Sequence, residues 1–253
     1  MKIVVIGGTG LIGTKLVRKL REQGHEAVAA SPKTGVDSIT GKGLAEAFKG
    51  ASAVVDVTNS PDWEDSAVLR FFETSTRNLL AYEADAGVRH HVALSVVGTE
   101  RLLESGFFRA KLAQEDLIKA STIPYTIVRA TQFFEFIKQI VDFSTDGNAV
   151  HMPPALIQPM AGDDVASALA RIATNPPVNG TVEIGGPEQF RLDELARMFL
   201  EHQDSPKDPR EVISGPNGRY YGIKVSERAL VPDESAGLSE TRYETWLGQA
   251  AMV

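Results

Sequence analysis

Apolar residues in this chain change period at short intervals. An unbroken apolar run from Ile3 to Ile6 marks a strand buried on both faces, and residues 11–23 then take up the spacing of an amphipathic helix, which Gly24 closes. The exchange repeats. Strands are predicted at 26–30, 53–57, 91–95, 125–128 and 181–184, and helices at 44–48, 65–86, 108–120, 163–173 and 192–201. In the longest helix Val68, Leu69, Phe72, Leu79 and Leu80 fall near helical spacing, with Gly87 as its stop. Such alternation specifies a parallel sheet covered on both faces, a Rossmann-type doubly wound α/β fold.

After Thr131 the pattern loosens. Phe133, Phe134, Phe136, Ile137, Ile140 and Val141 predict a helix with a thick apolar face, but Pro153-Pro154, Pro176-Pro177, Gly185-Gly186-Pro187 and the turn formers of 215–218 interrupt the remainder of the chain. The expected organisation is a nucleotide-binding core over 1–130 and a smaller substrate-side region over 131–253, intertwined with it as a single structural unit.

Composition narrows the function. At 253 residues, 43% hydrophobic and 23% charged, the chain can bury a sizeable core, and its net charge of −7 disfavours a broad nucleic-acid surface. No cysteine is present, which removes disulfides, thiolate metal sites and cysteine nucleophiles. The amino-terminal apolar run is too short for a signal peptide, and no run approaches the ~18 apolar residues of a membrane span. The expectation is a cytoplasmic protein with a small-molecule substrate, no metal, and neither membrane nor nucleic-acid partner. Oligomeric state is not fixed by the sequence.

The candidate chemistry starts at the turn between the first strand and helix. Gly7, Gly10 and Gly13 stand at three-residue spacing there: Gly7 permits the sharp exit from the strand, Gly10 leaves room for a pyrophosphate, and Gly13 allows close helix packing. Free N–H groups near Leu11 and Ile12 would face the phosphates, with Thr9 in the same loop. The predicted ligand is a dinucleotide. An acidic residue at the end of the second strand would hold a free ribose 2′-hydroxyl, but this chain reads Ala30-Ser31-Pro32-Lys33, so Ser31 and Lys33 favour NADP(H) over NAD(H). Asp37 has two readings, an acceptor for the adenine amino group or a turn former. Thr58 and Asn59 follow a central strand's carboxyl end, where cofactor ribose or phosphate binds, and Thr131, Gln132 and Phe133 occupy the corresponding place after a later strand, as a candidate nicotinamide or substrate pocket.

These motifs, with Asp56-Val57-Thr58-Asn59, Ser95-Val96-Val97-Gly98, 124–129 (Pro-Tyr-Thr-Ile-Val-Arg) and the Asp163-Asp164 helix start, resemble the atypical, NmrA-like branch of the short-chain dehydrogenase/reductase superfamily, whose members bind NAD(P). The resemblance implies a catalytic hydroxyl at Ser95 and a lysine at Lys111 that holds the nicotinamide ribose. The superfamily's proton-donating tyrosine would stand four residues before that lysine, where this chain has Phe107. The branch also implies quinone reductases and non-catalytic NADP(H) sensors. The expectation is therefore an NADP(H)-dependent oxidoreductase acting on an electron-poor acceptor, with Lys111 and Ser95 as catalytic candidates, or a redox sensor acting through a protein partner.

Overall fold

A computed structural model describes residues 1–202 and 208–250. In chain order it contains β1 (Lys2–Ile6), α1 (Leu11–Glu22), β2 (Glu26–Ala30), α2 (Leu44–Phe48), β3 (Ala53–Asp56), α3 (Asp65–Ala86), β4 (His91–Val96), α4 (Gly106–Lys119) and β5 (Tyr125–Ala130). Next come α5 (Ile137–Phe143), β6 (Thr145–Asp146), β7 (Ala149–Met152), β8 (Leu156–Ile157), α6 (Gly162–Thr174) and β9 (Gly180–Gly185). The chain continues with β10 (Phe190–Arg191), α7 (Leu192–Glu201), β11 (Glu211–Ser214), β12 (Gly237–Leu238) and α8 (Tyr243–Ala250). No helix among the described residues is long and apolar enough to cross a membrane.

Two compact units divide the chain. The first joins Met1–Ala130 to Gly162–Ile184, and the second joins Thr131–Ala161 to Gly185–Val253. Within the first, strands run β2-β1-β3-β4-β5-β9, every neighbour parallel. Strand order therefore reverses between β1 and β3, and ligands of doubly wound sheets bind outside the carboxyl ends of the strands at such a switch point. The segment 162–184 belongs here physically: α6 packs on α1 and β9 extends the sheet beside β5.

Parallel register assigns side chains to faces, because paired residues point the same way. One face carries Ile3, Val5, Val55 and Val92 under α1 and α6. The other carries Val4, Ile6 and Val54, packed with Leu44 and Phe48 of α2 and Leu79 of α3. Helix limits have local causes. The Glu64 carboxylate accepts the Ser66 and Ala67 N–H groups at the start of α3, and Gly87 ends it in the left-handed conformation. α4 begins at Gly106, earlier than the predicted 108, and Gly106 fits directly against Asp65, where a Cβ would lie 2.0 Å from the carboxylate.

The second unit has a three-stranded sheet, β11-β7-β6, and a β10-β8 pair. The helix expected from Phe133 divides into a 3-10 turn at Phe134–Phe136 and α5, and Phe134 packs on Tyr243 and Trp246.

Candidate functional site

The glycine loop leaves β1 at Gly7, whose φ of +79° is left-handed. A Cβ there would stand 3.0 Å from the Val57 carbonyl and 3.1 Å from the Thr58 nitrogen, so this loop and the one after β3 touch across the switch point. At Gly13 a Cβ would meet the Gly7 carbonyl oxygen at 2.1 Å, and at Gly8, which spacing alone did not single out, the Ala29 Cα at 2.7 Å. Gly10 differs. Among the described residues a Cβ there would have one close neighbour, the Gly7 oxygen at 3.3 Å, and Gly10 is the N-cap of α1 with no side-chain cap and no acid in the first turn. Leu11 is exposed, while Ile12 and Gly13 are buried. The arrangement is an uncapped, positively polarised helix end behind a loop with space at one glycine, a fit for a pyrophosphate.

At the end of β2, the Thr9 hydroxyl donates to the Ser31 hydroxyl at 3.0 Å and ties the glycine loop to the next turn. Ser31 and Thr34 form a capping box around the short 3-10 turn that holds Lys33 out to solvent. Asp37 Oδ1 accepts the N–H groups of Ile39 and Thr40, at 2.8 and 3.3 Å, which is the turn-forming geometry.

The β3 loop is organised from beneath. Asp56, buried, accepts both the N–H and the hydroxyl of Thr58 on Oδ1, at 2.9 and 2.7 Å, and the Gln114 amide on Oδ2 at 2.9 Å. Exposed Asn59 accepts the Ser60 N–H. Lys111 donates to the Gln114 carbonyl oxygen and, at 2.8 Å, to the Leu94 carbonyl, with its ammonium 4.4 Å from the centre of the Phe72 ring. It is 3% exposed. Burial pulls its pKa down to about 8, against the attraction of Asp56 and Glu115.

Ser95 is equally internal. Its hydroxyl donates to Glu115 at 2.7 Å, and Glu115 in turn receives Arg129 at 2.9 and 2.6 Å, while Arg129 also reaches Glu100 at 2.7 Å. Burial would raise the Glu115 carboxyl, but hydrogen bonds from Arg129 and Ser95 bring it below its ordinary value. Those to Glu115 and Glu100 hold Arg129 firmly cationic. Phe107 joins an aromatic group with Trp63, Phe72 and Phe108, at centroid distances of 6.1, 6.2 and 5.8 Å. Below them His91 bonds the wholly buried Glu83 at 2.8 Å. Burial raises the Glu83 carboxyl; burial alone would lower His91, but the charge and hydrogen bond of Glu83, with Asp56, more than offset it.

In the second unit, Thr131 and Gln132 are buried, and the Thr131 hydroxyl oxygen and both Gln132 amide atoms lack hydrogen-bond partners among the described residues. The Tyr220 hydroxyl lies near the Gln132 amide, and burial raises its pKa. Phe133 stacks on Phe136 at 5.6 Å.

Thr9, Ser31, Thr58 and the glycines thus converge around the carboxyl ends of β1, β2 and β3, whereas Ser95 and Lys111 are turned into the interior. Sequence reasoning missed Asp56 as the organiser of Thr58, and Gln114 and Glu115. A signal existed: Lys111, Gln114, Glu115 and Ile118 follow the i, i+3, i+4, i+7 spacing of a buried helix stripe. Among the described residues no group of His, Asp and Glu could hold a metal.

Residues 7–176 match the family described as NAD(P)H-binding. A chloroplastic divinyl chlorophyllide a 8-vinyl-reductase of Oryza sativa subsp. indica is 29% identical over 93% of this chain and 72% of its own length. The photosystem II assembly factor Ycf39 of Cyanophora paradoxa is 24% identical over 53% of this chain; the match spans 46% of that factor, and about half of a Cucumis sativus vinyl-reductase. Among solved structures, MoeE5 in complex with UDP-glucuronic acid and NAD superposes with a TM-score of 0.74 at 19% identity, over 98% of this chain and 97% of that one. Citrobacter sp. triphenylmethane reductase complexed with NADP(H) gives 0.63 at 21%, over 85% and 79%. These likenesses establish the fold.

Proposed function

The chain belongs to the NAD(P)H-binding family, and on that premise we propose that it is an oxidoreductase of the atypical, NmrA-like branch of the short-chain dehydrogenase/reductase superfamily that binds NADP(H) and passes hydride to a small, electron-poor acceptor such as a quinone. The observation that carries the reading is the exposed, uncapped start of α1 behind Gly10, where backbone N–H groups and the helix dipole would receive the pyrophosphate. The bound dinucleotide supplies the hydride. Ser31 and Lys33, with no carboxylate between them, support a 2′-phosphate on the adenosine ribose.

The acceptor class reflects what the first unit lacks near its candidate lysine. Phe107 cannot exchange a proton, and Ser95 and Lys111 are bonded to Glu115, Leu94 and Gln114. General acid help of ~10²–10⁴ in rate is thus not supplied from these positions, which disfavours simple ketones and favours acceptors whose developing charge is delocalised. The names of two similar proteins, a vinyl-reductase and a triphenylmethane reductase, accord with such an acceptor. Thr131, Gln132 and Phe133 are the proposed substrate-side residues, since orphaned buried amide and hydroxyl groups call for a partner. The engagement of both Ser95 and Lys111 favours a second reading, a non-turning-over NADP(H) sensor that acts on a protein partner.

Absorbance of the reduced nicotinamide, followed with NADPH and a panel of quinones, ketones and aldehydes, separates the two. Oxidation confined to quinones is the expected result, and tight NADPH binding without turnover on any acceptor supports the sensor. Gly10→Ala should abolish dinucleotide binding with the fold intact. Lys33→Glu should reverse the NADPH preference over NADH.

A further inference from the structure

Trp63 is the most exposed aromatic side chain among the described residues, at 61%, yet the loop that carries it is fastened at every step. Asn59 accepts the Ser60 N–H at 2.9 Å, Ser60 that of Asp62 at 3.2 Å and Asp62 that of Glu64 at 3.0 Å, and Glu64 caps α3. Asp65, the next residue, receives Arg109 of α4 at 2.5 Å and lies against Gly106. Two helix starts are thereby held together with an aromatic residue beside each, Trp63 before α3 and Phe107 in the first turn of α4. Their rings are 6.1 Å apart and tilted by 43°, and Phe107 is backed by edge contacts with Phe72 and Phe108, at interplanar angles of 73° and 89°. The area of an indole lies mostly on its two faces, so this exposure leaves a face open beside a supported phenyl ring.

Position and size identify the occupant. Trp63 follows the carboxyl end of β3 and Phe107 that of β4, neighbouring parallel strands, on the side of the sheet where doubly wound folds bind ligands. Trp63, Leu69 and Leu103 are the exposed large apolar side chains among the described residues of α3, α4 and the segments leading into them. An aromatic side chain has only ~150–250 Å² to bury, far below the ~800 Å² per partner of a stable protein interface. A flat bicyclic ring matches that area. We propose that Trp63 and Phe107 form an aromatic platform on which the rings of the acceptor lie, and that they are specificity-determining residues favouring fused-ring quinones over single-ring ones. This rests on the oxidoreductase reading and deepens it by naming the class of acceptor and the side chains that select it. Phe107 here supplies ring surface, not a proton: the quinone takes up hydride from the reduced dinucleotide and one proton from water, leaving hydroquinone and oxidised dinucleotide.

The test uses the full chain with NADPH and two probes, 1,4-naphthoquinone and 1,4-benzoquinone. Trp63→Ala should raise KM for naphthoquinone about five- to tenfold and that for benzoquinone by less than about twofold, with kcat for both retained. Trp63→Phe, which keeps a ring, should stay within about twofold of wild type, and Phe107→Leu, which keeps apolar bulk without a ring, should raise the naphthoquinone KM about threefold. Binding is read separately by fluorescence without dinucleotide. Naphthoquinone should quench the wild-type emission, and Trp63→Phe, which leaves Trp246 as the one indole, should lose that quenching at the same probe absorbance. Equal rises in KM for the two quinones, or quenching that survives Trp63→Phe, would overturn the platform. So would dimer formation in sedimentation accompanied by a blue shift absent from Trp63→Phe, since a second copy would then cover the ring. Absence of NADPH oxidation with every acceptor would overturn the oxidoreductase reading, and the quenching comparison then decides the platform by itself.

Discussion

Beneath α4 and the neighbouring part of α3, the two faces of the first unit's sheet solve burial in opposite ways. Under α1 and α6, β1, β3 and β4 present Ile3, Val5, Val55 and Val92, and the helices answer with Leu16, Leu20, Val165 and Leu169. Under α3 and α4, the middle strands present Asp56, His91, Ser95 and Arg129, answered by Glu83, Lys111, Gln114 and Glu115. On the first face volume and area decide stability, at roughly 25 cal/mol per Å² of apolar surface removed from water. On the second, each of these charges has a partner, and the energetics lie in what happens when one is removed: a buried pair contributes little over an apolar replacement, but a stranded charge costs several kcal/mol. The comparison also separates roles. The apolar face supports the sheet, whereas the polar face leads to the Thr58 loop.

The sharpest way to break the contrast is Arg129→Met, which leaves Glu115 with only Ser95 and Lys119. The expected destabilisation is about 3–5 kcal/mol in urea unfolding, most of it recovered when Glu115→Met is added. A loss below about 1 kcal/mol would mean that the pair is solvated and that the two faces do not differ in this way.

Lys111 gives the next largest effect, visible in pH. Its folded pKa of about 8 lies below the ordinary lysine value of 10.5, so between these values the unfolded chain holds more proton and stability rises with pH. The destabilisation is fully present below pH 8 and should be relieved by about 3 kcal/mol by pH 10.5. Lys111→Met should remove this rise from the urea midpoints. Ser95→Ala, which takes one donor from Glu115, should lower stability by about 1.5 kcal/mol without weakening NADPH binding. A selective loss of turnover with stability unchanged would support Ser95 as a catalytic residue. On the apolar face Ile3→Val should cost only about 1 kcal/mol, with no change in the pH dependence.

The same contrast explains what could be read from the chain beforehand. Unbroken runs such as Ile3–Ile6 and the glycine spacing announce β1, α1 and the loop between them, because burial on an apolar face leaves a periodic record. β2, α2, α3 and α7 were found with the limits observed. The polar face leaves no such record: Glu115 and Arg129 are written like surface charges, and only their partners, fourteen residues apart on α4 and β5, make them core. The short strands β6, β7, β8, β10, β11 and β12 span two to four residues, too few for alternation to register. At the candidate site the sequence located the loops; it did not reveal that Ser95 and Lys111 point inward, since that depends on which acceptors the fold brings beneath them.

The segment that returns to the first unit bears on synthesis. β9 pairs with β5 and α6 covers the β3–β5 part of the apolar face, so the unit begun at Met1 lacks its last strand until Ile184 has emerged. At about 5–20 residues per second, some seconds pass between the appearance of β5 and that of β9. During that interval the nascent chain displays an open parallel edge and an uncovered aliphatic surface, the features that recruit misplaced strands and holding chaperones. Substitutions that slow docking of α6, such as Leu169→Ala, would then reduce the yield of folded protein in the cell by more than their equilibrium cost.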